Sequence, residues 1–252
     1  MGKGTLLEDT RTAGAAIGEA VGIFMLHPET LAESVEAGYA NPFAGYVAGR
    51  GGVLGEANAV TVSAVFVVFE PEFVRTCWEA GVAVRGAAGA AALYWDQVAG
   101  FAGRHLAGAE GLARIAALGE RLIEATPGAG LPLYAGWRTM PLTDDTAGRA
   151  LQVMFVLREL RAEVHFSALT VSGVTPVEAH MLNHGPDYTR MFGWKEPFAD
   201  GADRRQHYAD VEEATDRRMT EILTAVLDRD EIAELARLSA GVLTRLRTVA
   251  PG

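Results

Sequence analysis

Apolar residues recur at helical spacing along most of this chain, which predicts a mainly α fold. In the C-terminal half, Ala150, Met154, Leu157 and Leu160 follow the N-cap candidates Thr143-Asp144-Asp145 and predict a helix over residues 147–163. The pattern then reads as a second, short helix over 164–171, stopped at Ser172-Gly173. Thr175 caps a third, with Pro176 at its first position and Glu178 three residues after the cap as in a capping box; Gly185-Pro186 ends it after Asn183. Helix, glycine turn, capped helix is a helix-turn-helix order. The N-terminal half predicts the same order, with a long helix over 12–25, a short one over 28–37, and a helix capped by Asn41-Pro42 that ends near Gly49. Residues 60–69 are rich in β-branched side chains and read as a strand or a buried helix, the fresh start at Glu70-Pro71-Glu72 favouring helix. Residues 80–125 read as one or two Ala-rich helices, 126–141 as a Pro/Gly linker, 187–205 as an irregular aromatic loop, and 208–227 and 230–249 as closing helices.

The two halves also align with each other. An offset of 134 residues superposes Thr12-Ala13-Gly14 on Thr146-Ala147-Gly148, Ala16 on Ala150, Glu29 on Glu163, Pro42 on Pro176 and Gly51 on Gly185, over about 40 residues without a gap. Apolar positions follow, Ile17 with Leu151 and Leu26 with Leu160 among them. This predicts two tandem helix-turn-helix, winged-helix-like repeats packed as an intrachain pseudo-dimer: a first repeat with Ala-rich helices over 1–125, a linker over 126–141, and a second repeat with closing helices over 142–252.

Charge narrows the choice of partner. The formal net charge is −10 and Lys3 and Lys195 are the only lysines, whereas a nucleic-acid surface needs clustered cations. The helix that would enter a DNA groove carries no Lys or Arg in the second copy (175–184) and only Arg50 in the first (41–50), so DNA is an unfavoured partner. The longest apolar stretch, 57–69, is interrupted by Asn58, Thr61 and Ser63 and falls short of the ~20 residues a membrane helix needs. The N-terminus lacks an apolar signal region, and Cys77 is the sole cysteine, which argues for a reducing, cytoplasmic setting without disulfides. No GxSxG or Walker loop is present, and the glycine-dense run 49–55 follows a helix and reads as a turn; no cofactor is expected.

Candidate chemistry gathers on the aligned helices. His180 and His184 lie four apart on one helical face, and the repeat offset places Tyr46 and Arg50 at the equivalent positions, so a pseudo-twofold would line one cleft with all four. The structural alternative is a histidine pair favoured by the helix C-terminal dipole. Glu159 sits in an apolar context between Arg158 and Arg161, and His165 falls at the expected helix break. Arg161 reads as an ion-pair partner of Glu159 or Glu163. The catalytic expectation is His165 or His180 as general base, oriented by Glu159, with Arg50 or Arg158 holding an anionic group. His184, Tyr188, Trp194 and Tyr46 complete the expected binding set. His180-x-x-x-His184 has zinc-ligand spacing, but Met181 stands where a metalloprotease has Glu, so no metal is expected and the pair is a minor alternative. Phe192 and Phe198 beside Trp194, and Tyr94, Trp95, Tyr134 and Trp137 near the linker, serve as pocket walls or as packing.

The segments Leu157-Arg158-Glu159-Leu160-Arg161-Ala162-Glu163-Val164-His165, Val211-Glu212-Glu213-Ala214-Thr215-Asp216, Pro28-Glu29 and Tyr46-Val47-Ala48-Gly49-Arg50 are similar to an actinobacterial all-helical family commonly labelled helix-turn-helix. One departure is Leu160, where that family commonly has His. The resemblance covers most of the chain and implies a fold rather than an activity. The leading expectation is a cofactor-independent natural-product tailoring enzyme of cyclase, lyase or isomerase type, acting on an apolar or aromatic molecule with an anionic or polar group. A non-catalytic ligand sensor or resistance-type binder, and a divergent helix-turn-helix regulator, are the alternatives; a homodimer is left open.

Overall fold

The computed structural model describes residues 4–249, which form twelve α-helices with no strand among the described residues. The mainly α expectation holds, and among the described residues there is no β-hairpin that could form a wing.

Local chemistry sets most boundaries. Helix α1 (Leu6–Leu26) opens with a reciprocal capping box between Thr5 and Glu8 and stops where Pro28 forces His27 into extended backbone. Pro28 starts α2 (Pro28–Glu36), and Asn41 Oδ1 accepts the Ala44 N–H to cap α3 (Pro42–Gly51). The β-branched stretch is α4 (Ala59–Val65) followed by a turn. Glu70 caps α5 (Pro71–His105), which kinks at Arg85-Gly86, where Gly86 adopts φ +71°. Next come α6 (Leu112–Ala125) and α7 (Pro132–Trp137), the latter inside the stretch read as linker.

Helix α8 (Thr146–Ser172) is unbroken where two helices were expected. Pro28 ends α1, but the position that the 134-residue offset sets against it is Ala162, and no Pro or Gly intervenes between Gly148 and Gly173. Ser167 and Thr170 donate to the carbonyls of Glu163 and Phe166 without interrupting the helix. His165 therefore lies in mid-helix rather than at a break. Thr175 and Glu178 form the expected capping box on α9 (Pro176–His184); α10 (Pro186–Met191), α11 (Arg205–Thr224) and α12 (Arg229–Val249) follow.

One apolar core runs from Ala13 to Leu246 and draws on both halves. Helix α8 crosses it, and every residue from 150 to 157 is buried. Helix α3 is buried from Ala44 to Gly51 and lies so close to α5 that a Cβ on Gly81 would fall 2.4 Å from the Ala44 carbonyl oxygen. No face of α3 is free to enter a DNA groove.

Candidate functional site

Helices α1, α8, α9, α10 and α11 enclose a cavity of about 1080 Å³. Its α1 wall carries Gly14, Gly18 and Gly22, spaced by four and hence on one face. A Cβ on Gly14 would meet Arg161, but one on Gly18 or Gly22 would meet no atom of the described residues within 4 Å. Those two glycines face open space.

The α8 wall presents Leu157, Arg158, Arg161, Ala162, His165 and Phe166, a single helical stripe. Opposite it, α9 and α10 supply His180, Asn183, His184, Tyr188 and Phe192, and α3 supplies Tyr46. The imidazoles are part of an aromatic stack: His180 lies on Phe192 at 4.9 Å between ring centroids, and His184 on Tyr188 at 5.0 Å. Asn183, His184, Asp187 and Tyr188 line the cavity and are exposed, so it meets solvent along this edge.

Burial holds the His180 ring neutral, pushing its pKa down to about 4 with His184 adding to the effect, and its buried Nδ1 has no partner among the described residues. Partial desolvation also lowers His184, one edge of which stays open to solvent. His165 is depressed by burial, against the opposing pull of Glu212. The tautomer of His165 follows from its neighbours. Thr215 gives its hydroxyl proton to the Val211 carbonyl at 2.8 Å, so toward His165 Nδ1, at 3.5 Å, it can only accept; the Glu212 carboxylate 3.4 Å from Nδ1 also only accepts. The ring proton therefore belongs on Nδ1, leaving the Nε2 lone pair as the basic group.

A polar network backs this wall. Glu212 accepts from Tyr208 Oη at 3.1 Å and from Arg161 at 3.0 Å; Arg161 also reaches Asp216 at 3.1 Å, and Asp216 takes Arg11 at 2.8 Å. Arg161 thus pairs with α11 rather than with Glu159 or Glu163, because residues two apart on a helix point to different sides.

The cavity gathers Tyr46, Arg158, His165, His180, His184 and Tyr188, six of the nine residues expected from sequence. Arg50 and Glu159 lie behind it, paired through Nε at 2.8 Å and Nη2 at 2.9 Å. They are 1% and 0% exposed, with the guanidinium over the Phe66 ring. Burial pushes the Glu159 carboxyl up, but Arg50 and Arg158 prevail and hold it below its ordinary value. With all its charge taken up by guanidinium groups, Glu159 does not orient either histidine. Trp194 is also elsewhere, donating to the Val68 carbonyl at 2.9 Å and pinning its loop to the α4–α5 turn. Trp95, Tyr134 and Trp137 are core residues whose polar atoms bond backbone carbonyls, and Tyr94 is buried among them.

Sequence reasoning missed the glycine stripe, visible as Gly at i, i+4 and i+8, and the residues Tyr208 and Glu212. The latter sits in one of the segments that carried the family resemblance, and it meets His165 from another of them. Among the described residues no group of three or more His, Cys, Asp or Glu is placed to hold a metal, and burial pushes the Cys77 thiol up to about 11, away from nucleophilic use. No described helix is long and apolar enough to cross a membrane.

A family model described as a helix-turn-helix family matches residues 10–250, and the chain belongs to that family. No curated protein and no solved structure gave a match.

Proposed function

We propose that this helix-turn-helix family member binds a small, largely apolar organic molecule in the α1–α8–α9 cavity, and that His165 performs acid/base chemistry on it. The observation that carries the reading is the pair Gly18 and Gly22, which no neighbouring atom approaches. Glycine inside a helix costs roughly 1 kcal/mol relative to Ala, and here no close packing requires it. The space belongs to whatever fills the cavity. Its volume of about 1080 Å³ suits a drug-sized or slightly larger molecule, and the stacked rings of His180, Phe192, His184 and Tyr188 favour flat or aromatic surfaces.

In this reading His165 Nε2 takes a proton from the bound molecule and returns it, as a cofactor-independent cyclase, lyase or isomerase requires, while Glu212 and Thr215 hold the Nδ1–H and stabilise the imidazolium. A sensor or resistance-type binder would use the same cavity without turnover. The binding claim is tested with the fluorescent apolar probe N-phenyl-1-naphthylamine. Wild type is expected to bind it, and Gly18→Phe, which grows into open space, to lose at least 10-fold in affinity with an unchanged circular-dichroism spectrum. Equal binding by both proteins refutes the reading. For catalysis, incubation with cell extract followed by mass spectrometry should show a metabolite consumed by wild type and not by His165→Gln.

The family name favours a second reading, a DNA-binding regulator. Against it stand the burial of α3 and the lack of cations on α9. A gel shift with the upstream region of its own gene should show no specific, salt-sensitive retardation.

A further inference from the structure

We propose that the cavity selects organic anions, carboxylate-bearing amphiphiles foremost, and that Arg158 is the group that binds the anionic end. This rests on the reading of the cavity as a small-molecule site.

The argument is one of charge pairing around the walls. Glu212 and Asp216 are matched by Arg161 and Arg11. At the outer edge Asp187 is engaged by Arg190 and Glu19 by Arg247. Each of these acidic groups is met by a cation, Arg190 being shared between Asp187 and Glu196. The third cluster is unbalanced: Glu159 takes both oxygens of a bidentate contact from Arg50 and accepts a further bond from Arg158 Nη1 at 2.8 Å. Two guanidinium groups share one carboxylate. Glu163, one turn further on, is turned to the α7 side, where the Leu133 and Tyr134 backbone N–H groups occupy its oxygens.

Of the two cations on Glu159, Arg50 is sealed in the core and Arg158 lines the cavity with 24% of its side chain exposed. The surplus positive charge is therefore presented to the cavity by Arg158, whose Nε and Nη2 have no acceptor among the described residues. A guanidinium in a largely apolar surround, with donors to spare, favours a planar carboxylate that can bond it in a fork. The rest of the lining is mainly apolar and aromatic, its other charged groups Arg161, Glu212, Asp187 and Glu19 being held in ion pairs, with neutral imidazoles across from Arg158. That combination fits a molecule with one acidic end and an extended apolar or aromatic body.

The test displaces bound N-phenyl-1-naphthylamine with 6-phenylhexanoate and with its neutral counterpart 6-phenylhexan-1-ol. Wild type is expected to prefer the acid at least 10-fold. Arg158→Gln leaves Glu159 in its bidentate pair with Arg50, so the fold should persist; the preference is expected to disappear while the alcohol's affinity stays within about twofold. Arg158→Lys, which keeps the charge and loses the fork, should fall between. Equal potency of acid and alcohol on wild type, a preference that survives Arg158→Gln, or failure of both compounds to displace bound probe would each overturn the assignment and leave probe binding itself intact. Failure of the probe to bind wild type would instead remove the cavity reading on which it rests. Should Arg158→Gln not fold, the wild-type comparison and Arg158→Lys still decide.

Discussion

Glu159 illustrates what a residue type does and does not reveal. An acid within an apolar run must find a partner; the apolar context drew attention to Glu159, and only the repeat offset drew attention to Arg50. Which side of α8 the pair occupies depends on α3 being buried, which no local pattern encodes. The structural role gives a clear expectation: Glu159→Gln strands two guanidinium groups, one of them wholly buried, and should cost about 3–5 kcal/mol in urea unfolding. A loss under 1 kcal/mol would show that the pair is not a structural anchor. His180 has a pH signature of its own. Its unfolded ring protonates near its ordinary 6.5 and the folded ring near 4, so between those values the unfolded state binds more protons and stability falls as pH drops. The shift corresponds to roughly 3 kcal/mol lost by pH 4. Unfolding midpoints at pH 7 and pH 4.5 should differ less in His180→Leu than in wild type; identical pH dependence would contradict the buried neutral ring.

At the level of elements, capped and proline-started helices were readable, because caps are local chemistry: Thr175-Pro176-Glu178, Asn41-Pro42 and Glu70-Pro71 all begin helices where expected. What misled was the hydrophobic pattern of α8. Surrounded by protein from 150 to 157, it has no polar face there to mark its period, and the break read after residue 163 has no residue such as Pro28, which ends α1, to produce it. The glycines of α1 make a prediction at this scale. Gly18→Ala adds a methyl group to open space and improves helix propensity, so it should raise stability by about 0.5–1 kcal/mol in thermal or urea unfolding. By contrast Gly81→Ala drives its Cβ against the Ala44 carbonyl and should destabilise by about 1–3 kcal/mol or more. If both substitutions moved stability in the same direction, the distinction between cavity-facing and packing glycines would fail.

For the whole molecule, the site depends on both ends of the chain. Tyr46 comes from the first half, His165 and His180 from the second, and α1, which forms one wall, is itself held by α12: Ile17 and Val21 share a core with Val242 and Leu246, and Glu19 pairs with Arg247 at 2.6 Å. Separating 1–125 from 142–252 would expose the buried run of α8 and strip α1 of its C-terminal partner. Such a core has no internal seam along which one half could unfold alone, so denaturation should be a single cooperative transition. Far-UV circular dichroism reports all twelve helices, whereas tryptophan fluorescence is weighted to Trp78, Trp95 and Trp137, buried in the first half and its connection. The two urea curves are therefore expected to coincide. Each isolated fragment should show little helix until they are mixed. Non-coincident curves, or a folded 142–252 fragment, would mean that the halves are stable separately and that the cavity is an interface between domains; ligand binding would then raise the stability of their association rather than of one core.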